Sequence, residues 1–195
     1  MKKRIAVLWA MLFCCITLLS GCGTNADVET EILLPHQQDL SGRRVEFIFH
    51  FEKQSGMGSN QFAVWIEDAQ GQFVKTVYAT QWTALGGYEI REMSLANWVE
   101  KASPSSLSSA ELDAITSATP QSGTYKVVWV IDEGDTGDYR YIIEGSTYME
   151  EYVLFEGVVT LGDKETEEKP TGAFSANSPK NGGMITDVVV RYYSR

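Results

Sequence analysis

Apolar side chains occupy every second position from Val45 through Phe47 and Phe49 to Phe51, with Glu46, Ile48 and His50 between them. A period of two sends one set of side chains to a single face of an extended chain, so this run predicts a half-buried strand. Runs 62–67 and 73–80 flank Asp68-Ala69-Gln70-Gly71-Gln72, a hairpin signal with glycine where the turn needs positive φ. Residues 125–131 are nearly continuously apolar and predict a central strand with Trp129 in the core. Beyond the acidic turn 132–138 come runs 139–144, 153–161 and 185–193. These seven runs have short connections and no strand–helix–strand alternation. They predict an all-β fold, an immunoglobulin-like antiparallel β-sandwich of about seven strands.

One stretch breaks the series. Residues 81–122 lack strand periodicity and read as a partly helical insertion. Leu95, Trp98 and Val99 make one apolar stripe on a short helix. Ser108 followed by Glu111 predicts a capping box, with Leu112 and Ile115 on one face behind it. A structured insertion of this length between strands points to function. Residues 164–182, charged and then rich in Gly, Ser, Asn and Pro, predict an exposed loop.

The N-terminus is organised for export. Lys2, Lys3 and Arg4 precede an apolar stretch from Ile5 to Leu19, too short for a spanning helix of about 20 residues. It closes on Leu19-Ser20-Gly21-Cys22, which resembles the lipobox of bacterial lipoproteins. The resemblance implies a signal peptide over 1–21 and acylation of Cys22; the polar, aperiodic stretch that follows reads as a tether over 22–40, leading to a domain over 41–195. The chain is expected to hang from a membrane by lipid on Cys22, at the periplasmic face or the cell surface.

Composition narrows the partners. The precursor has 16 basic and 26 acidic residues, a net charge of −10. Residues 1–21 hold three of the basic residues and no acidic one, so the processed chain carries 13 against 26, a net −13. Such a surface repels phosphate backbones, which argues against nucleic acid. Cys14 and Cys15 lie in the signal, leaving Cys22 as the one processed cysteine. That count excludes an intrachain disulfide, thiol catalysis and a cysteine zinc site.

The run Ser59-Asn60-Gln61-Phe62-Ala63-Val64-Trp65-Ile66-Glu67-Asp68, with Ala118-Thr119-Pro120 and Gly123-Thr124-Tyr125, resembles an uncharacterised family of bacterial exported proteins, a domain of unknown function. The resemblance covers most of residues 43–193 and implies the immunoglobulin-like sandwich of the flagellar hook-capping protein. It implies no reaction.

Residues fit for catalysis are sparse. The histidines are His36 and His50, and no nucleophile elbow accompanies them. The turn Asp132-Glu133-Gly134-Asp135-Thr136-Gly137-Asp138 offers calcium oxygens but lacks EF-hand spacing, and its residues suit a hairpin. Ser55-Gly56-Met57-Gly58-Ser59-Asn60 lacks the P-loop lysine. Trp82 and Tyr88, flanking Gly86-Gly87, are the aromatics expected to be exposed. Asp113-Ala114-Ile115-Thr116-Ser117-Ala118-Thr119 resembles the flavinylation motif of exported electron-transfer proteins. That resemblance implies covalent FMN on Thr119, with Asp113 and Thr116 as recognition positions. Ser117 departs from the usual glycine.

Two functions therefore stand. One is a binding or accessory module without catalysis or cofactor, engaging an extracytoplasmic protein partner. The alternative is a redox accessory protein carrying FMN on Thr119.

Overall fold

The computed structural model describes residues 30–31, 41–55, 58–147, 152–174 and 183–195. The signal peptide, Cys22 and the tether through residue 40, His36 included but Thr30 and Glu31 excepted, lie outside them. The strands are β1 (Thr30–Glu31), β2 (Arg44–Phe51), β3 (Gln61–Asp68), β4 (Phe73–Thr80), β5 (Thr116–Ser117) and β6 (Gly123–Val130). They continue with β7 (Gly137–Ser146), β8 (Tyr152–Leu161), β9 (Thr166–Glu168), β10 (Gly172–Phe174) and β11 (Ile185–Tyr193). Helices α1 (Tyr88–Ile90), α2 (Ala96–Ala102) and α3 (Ser109–Ile115) all fall in the insertion.

Two sheets form, ordered β1-β6-β2-β11-β9 and β10-β8-β7-β3-β4-β5. Every pairing is antiparallel except the short β1–β6 and β4–β5 contacts. The seven long strands are the seven runs of the period-two reading. Lettered A to G in chain order, they lie as D-A-G and C-B-E-F. This is the expected sandwich architecture, with a strand order distinct from the ABED and CFG sheets of immunoglobulin constant domains.

Alternation builds the core between the sheets. Val45, Phe47, Phe49 and Phe51 of β2 meet Phe62, Val64 and Ile66 of β3, all buried. Phe49 packs edge-on against Phe62 with centroids 5.4 Å apart, and Trp129 does the same to Tyr139 at 5.3 Å. The hairpin at Asp68 has Gly71 at φ +76° as expected, and the Asp68 carboxylate accepts from the Gln70 and Gln72 N–H groups at 2.9 and 2.8 Å.

The insertion is a third layer. Leu95, Trp98 and Ala102 pack on Ala63, Trp65, Ala79 and Ile142, the outer face of the second sheet. That cover explains why β3 is buried from Gln61 to Glu67, where period-two reasoning expects every other residue in water. Small Ala63 and Ala79 leave room for the Trp98 ring against the strands.

Two local expectations are corrected. The acidic turn 132–138 is no hairpin, because β6 and β7 belong to different sheets. It crosses the sandwich, held by the Arg43 guanidinium donating to the Asp135 carbonyl at 2.7 Å. The stretch 164–182 is not wholly loop in its described part. Its charged half contains β9 on the edge beside β11, and Gly172–Phe174 pairs with β8. Residues 175–182 lie outside the described residues.

Candidate functional site

One pole of the sandwich gathers most of the polar side chains that are both buried and unexplained by charge pairing. Phe51 ends β2 opposite Gly123, and Gln61 begins β3 opposite Ser146. The 52–60 connection crosses this pole, clamped by Asn60, whose side chain accepts from the Gln54 N–H at 2.7 Å and donates to its carbonyl at 3.0 Å.

Gln61 is the hub. Its side chain has no solvent exposure. Its Oε1 accepts from the Thr80 hydroxyl at 2.7 Å and from the Thr83 N–H and hydroxyl, each at 3.2 Å. Its Nε2 donates to the Asn60 carbonyl at 2.8 Å, the Ser59 hydroxyl at 2.9 Å and the Thr119 hydroxyl at 3.1 Å. One amide thus ties the start of β3, the end of β4, the first turn of the insertion and its last residues together. Its donor and acceptor capacity is fully used, as burial demands.

On this hub stands a knuckle, residues 82–93. Gly86 turns the chain at φ +99°, and Gly87 lies so close to Trp82 that a Cβ would overlap both its ring and its carbonyl. Arg91 stacks its guanidinium over the Trp82 ring at 4.8 Å. It also donates to the Ser59 carbonyl at 3.0 Å, the Ser94 hydroxyl at 2.8 Å and the Thr147 carbonyl. Burial lowers the Arg91 pKa from its ordinary value. The knuckle is rigidly based, yet its apolar side chains point outward. Trp82 is 38% exposed, Leu85 58%, Ile90 84% and Met93 41%. These are half of the large hydrophobics exposed among the described residues. Tyr88, the other aromatic expected outside, is half-buried.

The residues of the flavin motif are spread over different environments. The Thr119 hydroxyl accepts from Gln61 and donates to the Asn60 carbonyl at 3.2 Å. Thr116 is 6% exposed and begins β5, while Asp113 stands exposed on α3. Ser117 bonds the Tyr78 hydroxyl at 3.0 Å, and burial pushes that phenol up to about 12. Helix α3 carries the expected capping box between Ser108 and Glu111. Of the aromatics in the insertion, Trp98 is fully buried and donates its indole N–H to the Thr76 hydroxyl at 3.0 Å.

Elsewhere among the described residues, an open cleft of about 330 Å³ lies beside β9 and β11, lined by Glu167, Arg191 and Tyr193 among others, with Arg191 paired to Glu167 at 2.9 Å. His50 sits on the outer face of β2, 3.5 Å from a Glu52 carboxylate oxygen. Where α2 meets the second sheet lies a cleft of about 150 Å³, lined by Trp65, Glu67, Lys101 and Arg140 among others. That is below the ~300–1,000 Å³ of ordinary ligand pockets. Glu67 inside it is paired with Lys101 at 3.1 Å and Arg140 at 3.2 Å. Among the described residues no three His, Cys, Asp or Glu side chains converge as metal ligands.

A family model described as a predicted periplasmic protein (DUF2271) matches residues 43–176, more than half of the chain. The chain belongs to this family. No curated protein and no solved structure matches it. In this DUF2271 chain each residue of the run Asn60-Gln61-Phe62-Ala63-Val64-Trp65 has its own place. Asn60 clamps the connection, Gln61 is the hub, Phe62 and Val64 face the inter-sheet core, and Ala63 and Trp65 lie beneath the insertion. The family's periplasmic description agrees with the export expected from residues 1–21. No helix among the described residues is long and apolar enough to cross a membrane.

Sequence reasoning missed Glu144, which docks the insertion of this DUF2271 chain. Its carboxylate, 1% exposed, accepts from the Trp98 N–H at 2.9 Å and from the Asn97 N–H at 3.3 Å and side-chain amide at 3.0 Å. These are orphan donors of the first turn of α2. Burial raises the Glu144 pKa, against the lowering effect of those donors. A carboxyl with a raised folded-state pKa holds its proton longer in the fold than in the open chain. Its stabilising contribution is therefore present at low pH and lost as pH rises from about 4.3 through the folded value. Glu144→Gln mimics the protonated form. The stability of the native protein relative to this variant should fall as pH rises from 4 to 7, measured by urea midpoints. A constant difference would show that Glu144 does not titrate in that window.

Proposed function

We propose that the protein is a lipid-anchored extracytoplasmic accessory module that works by binding through the knuckle of residues 82–93 and carries out no catalysis of its own. The observation behind this reading is four large apolar side chains exposed within twelve consecutive residues, on a base pinned by Gln61 and Arg91. Apolar side chains clustered this way on a rigid support mark interaction sites, since leaving them in water has no folding benefit. The Leu-Ser-Gly-Cys22 sequence supports the anchor.

A photo-crosslinking side chain at position 90, in intact cells of the native host, tests the surface. Adducts are expected from position 90, to vanish with Leu85→Glu, and to be absent from exposed Asp163. Equal labelling from both positions sinks the reading.

The anchor is tested separately. Cys22→Ser should abolish acyl labelling and release the protein or stall it as a precursor. Unchanged membrane retention and lipid labelling in that variant overturn the anchor. Intact mass of the native protein also decides the flavin alternative. With the Thr119 hydroxyl engaged on both sides, we expect acyl mass and no FMN mass.

A further inference from the structure

We propose that the surface on which the knuckle docks is the bilayer that holds the protein's own N-terminus; this rests on acylation of Cys22 and on the knuckle as the binding surface.

Strand β1 runs parallel to β6, with Thr30 beside Tyr125 and Glu31 beside Lys126. At Thr30 the N-terminal direction of β1 therefore points toward the pole where β6 begins. That is the pole of Gln61, Thr83 and Arg91, since Gly123 faces the end of β2 and the 52–60 connection bonds across to Ser122 and Asn60. Eight peptide links join Cys22 to Thr30. At 3.3–3.6 Å per residue such a segment reaches at most about 28 Å, roughly the length of one of the long strands. A lipid on Cys22 thus keeps the knuckle pole within about one strand length of the headgroups and lets it reach them. The far pole, with the Asp68 hairpin and the acidic crossover 132–138, lies a strand length further out.

The chemistry of the knuckle fits that position. Leu85, Ile90 and Met93 are apolar, and Trp82 is an indole of the kind enriched at the membrane–water boundary. Burying a few such side chains gives weak binding in free solution. A short tether supplies an effective concentration in the millimolar range, which makes weak docking sufficient. Glu89 and Glu92, exposed beside Ile90, select against anionic headgroups and favour zwitterionic lipid.

Because Cys22 is the one cysteine of the processed chain, its thiol can be coupled to a maleimide phospholipid in phosphatidylcholine vesicles, bypassing native acylation. Among the four tryptophans of that chain only Trp82 is exposed, and Trp82→Phe gives the background from the rest. Docking predicts that Trp82 is quenched by lipids brominated high in the acyl chain and shielded from aqueous iodide. Ile90→Glu and Leu85→Glu, at exposed positions that leave the fold intact, should abolish both effects. Iodide access on vesicles equal to that in solution overturns the proposal, as do position-90 adducts in cells that contain protein and no lipid. An unacylated Cys22 in the native host overturns the anchored reading and this one together. An acylated Cys22 with an iodide-accessible Trp82 overturns the docking alone.

Discussion

Truncating Trp129 to alanine is expected to cost about 3–5 kcal/mol of stability, the range for removing a large aromatic from a close-packed core. Trp129 is 2% exposed and lies in β6, opposite Val45 of β2. Its ring crosses the inter-sheet space to meet Tyr139 at the start of β7. Neither sheet can collapse into the space it leaves without pulling strands out of register, so the cavity term adds to the lost transfer energy. Urea unfolding should show a lower midpoint with an unchanged slope. A loss below about 0.5 kcal/mol, the surface range, would place the ring outside the core.

The second large effect belongs to Gln61. Gln61→Leu keeps the volume and deletes the hub, and is expected to cost about 2–4 kcal/mol, mainly through buried polar groups left without partners at ~1–3 kcal/mol each. The Thr83 N–H loses its acceptor outright. The Thr80 hydroxyl retains the Phe62 carbonyl at 3.3 Å, and the Thr83 hydroxyl retains Ser94 at 2.7 Å, which limits the total. The effect should be local as well as global. Amide exchange should accelerate across 81–94 more than in β6 or β11. Uniform acceleration would mean that Gln61 serves the sandwich and not the knuckle.

Both variants also mark how far the sequence reveals the molecule. Trp129 was legible, because a nearly continuous apolar run of seven residues reads as a buried strand, although β6 lies beside two-residue β1 near the edge of its sheet and not at the centre as the run suggests. The seven long strands follow from the same period-two logic, and the capping box at Ser108 from a local four-residue pattern. Gln61, Glu67 and Glu144 were not legible. Each is polar on a strand, and alternation assigns such residues to water. The insertion covers them instead, a fact set by tertiary packing that no window of the sequence contains. The connection 132–138 failed for a related reason, since turn residues describe a bend but not whether the strands they join share a sheet. Short strands such as β5 and β9 are invisible because two or three residues have no period. Of the candidate site, Trp82 and the Gly86-Gly87 turn were visible as aromatic and glycine signals. The exposed Ile90 and Met93 were not, because an apolar residue reads as buried by default.

Those short strands have a consequence for how copies of the chain meet one another. The edges of the two sheets are β1 and β9 in one, and β10 and β5 in the other, each of two or three residues. Each short strand covers only part of the outer edge of a long strand, β6, β11, β8 or β4, and so interrupts the continuous row of N–H and C=O groups that a neighbouring chain would need in order to pair along its whole length. Under the proposed anchoring through Cys22, copies would be confined to two dimensions and would collide side by side more often. Interrupted edges of this kind disfavour the extension of such a collision into strand addition along a whole sheet.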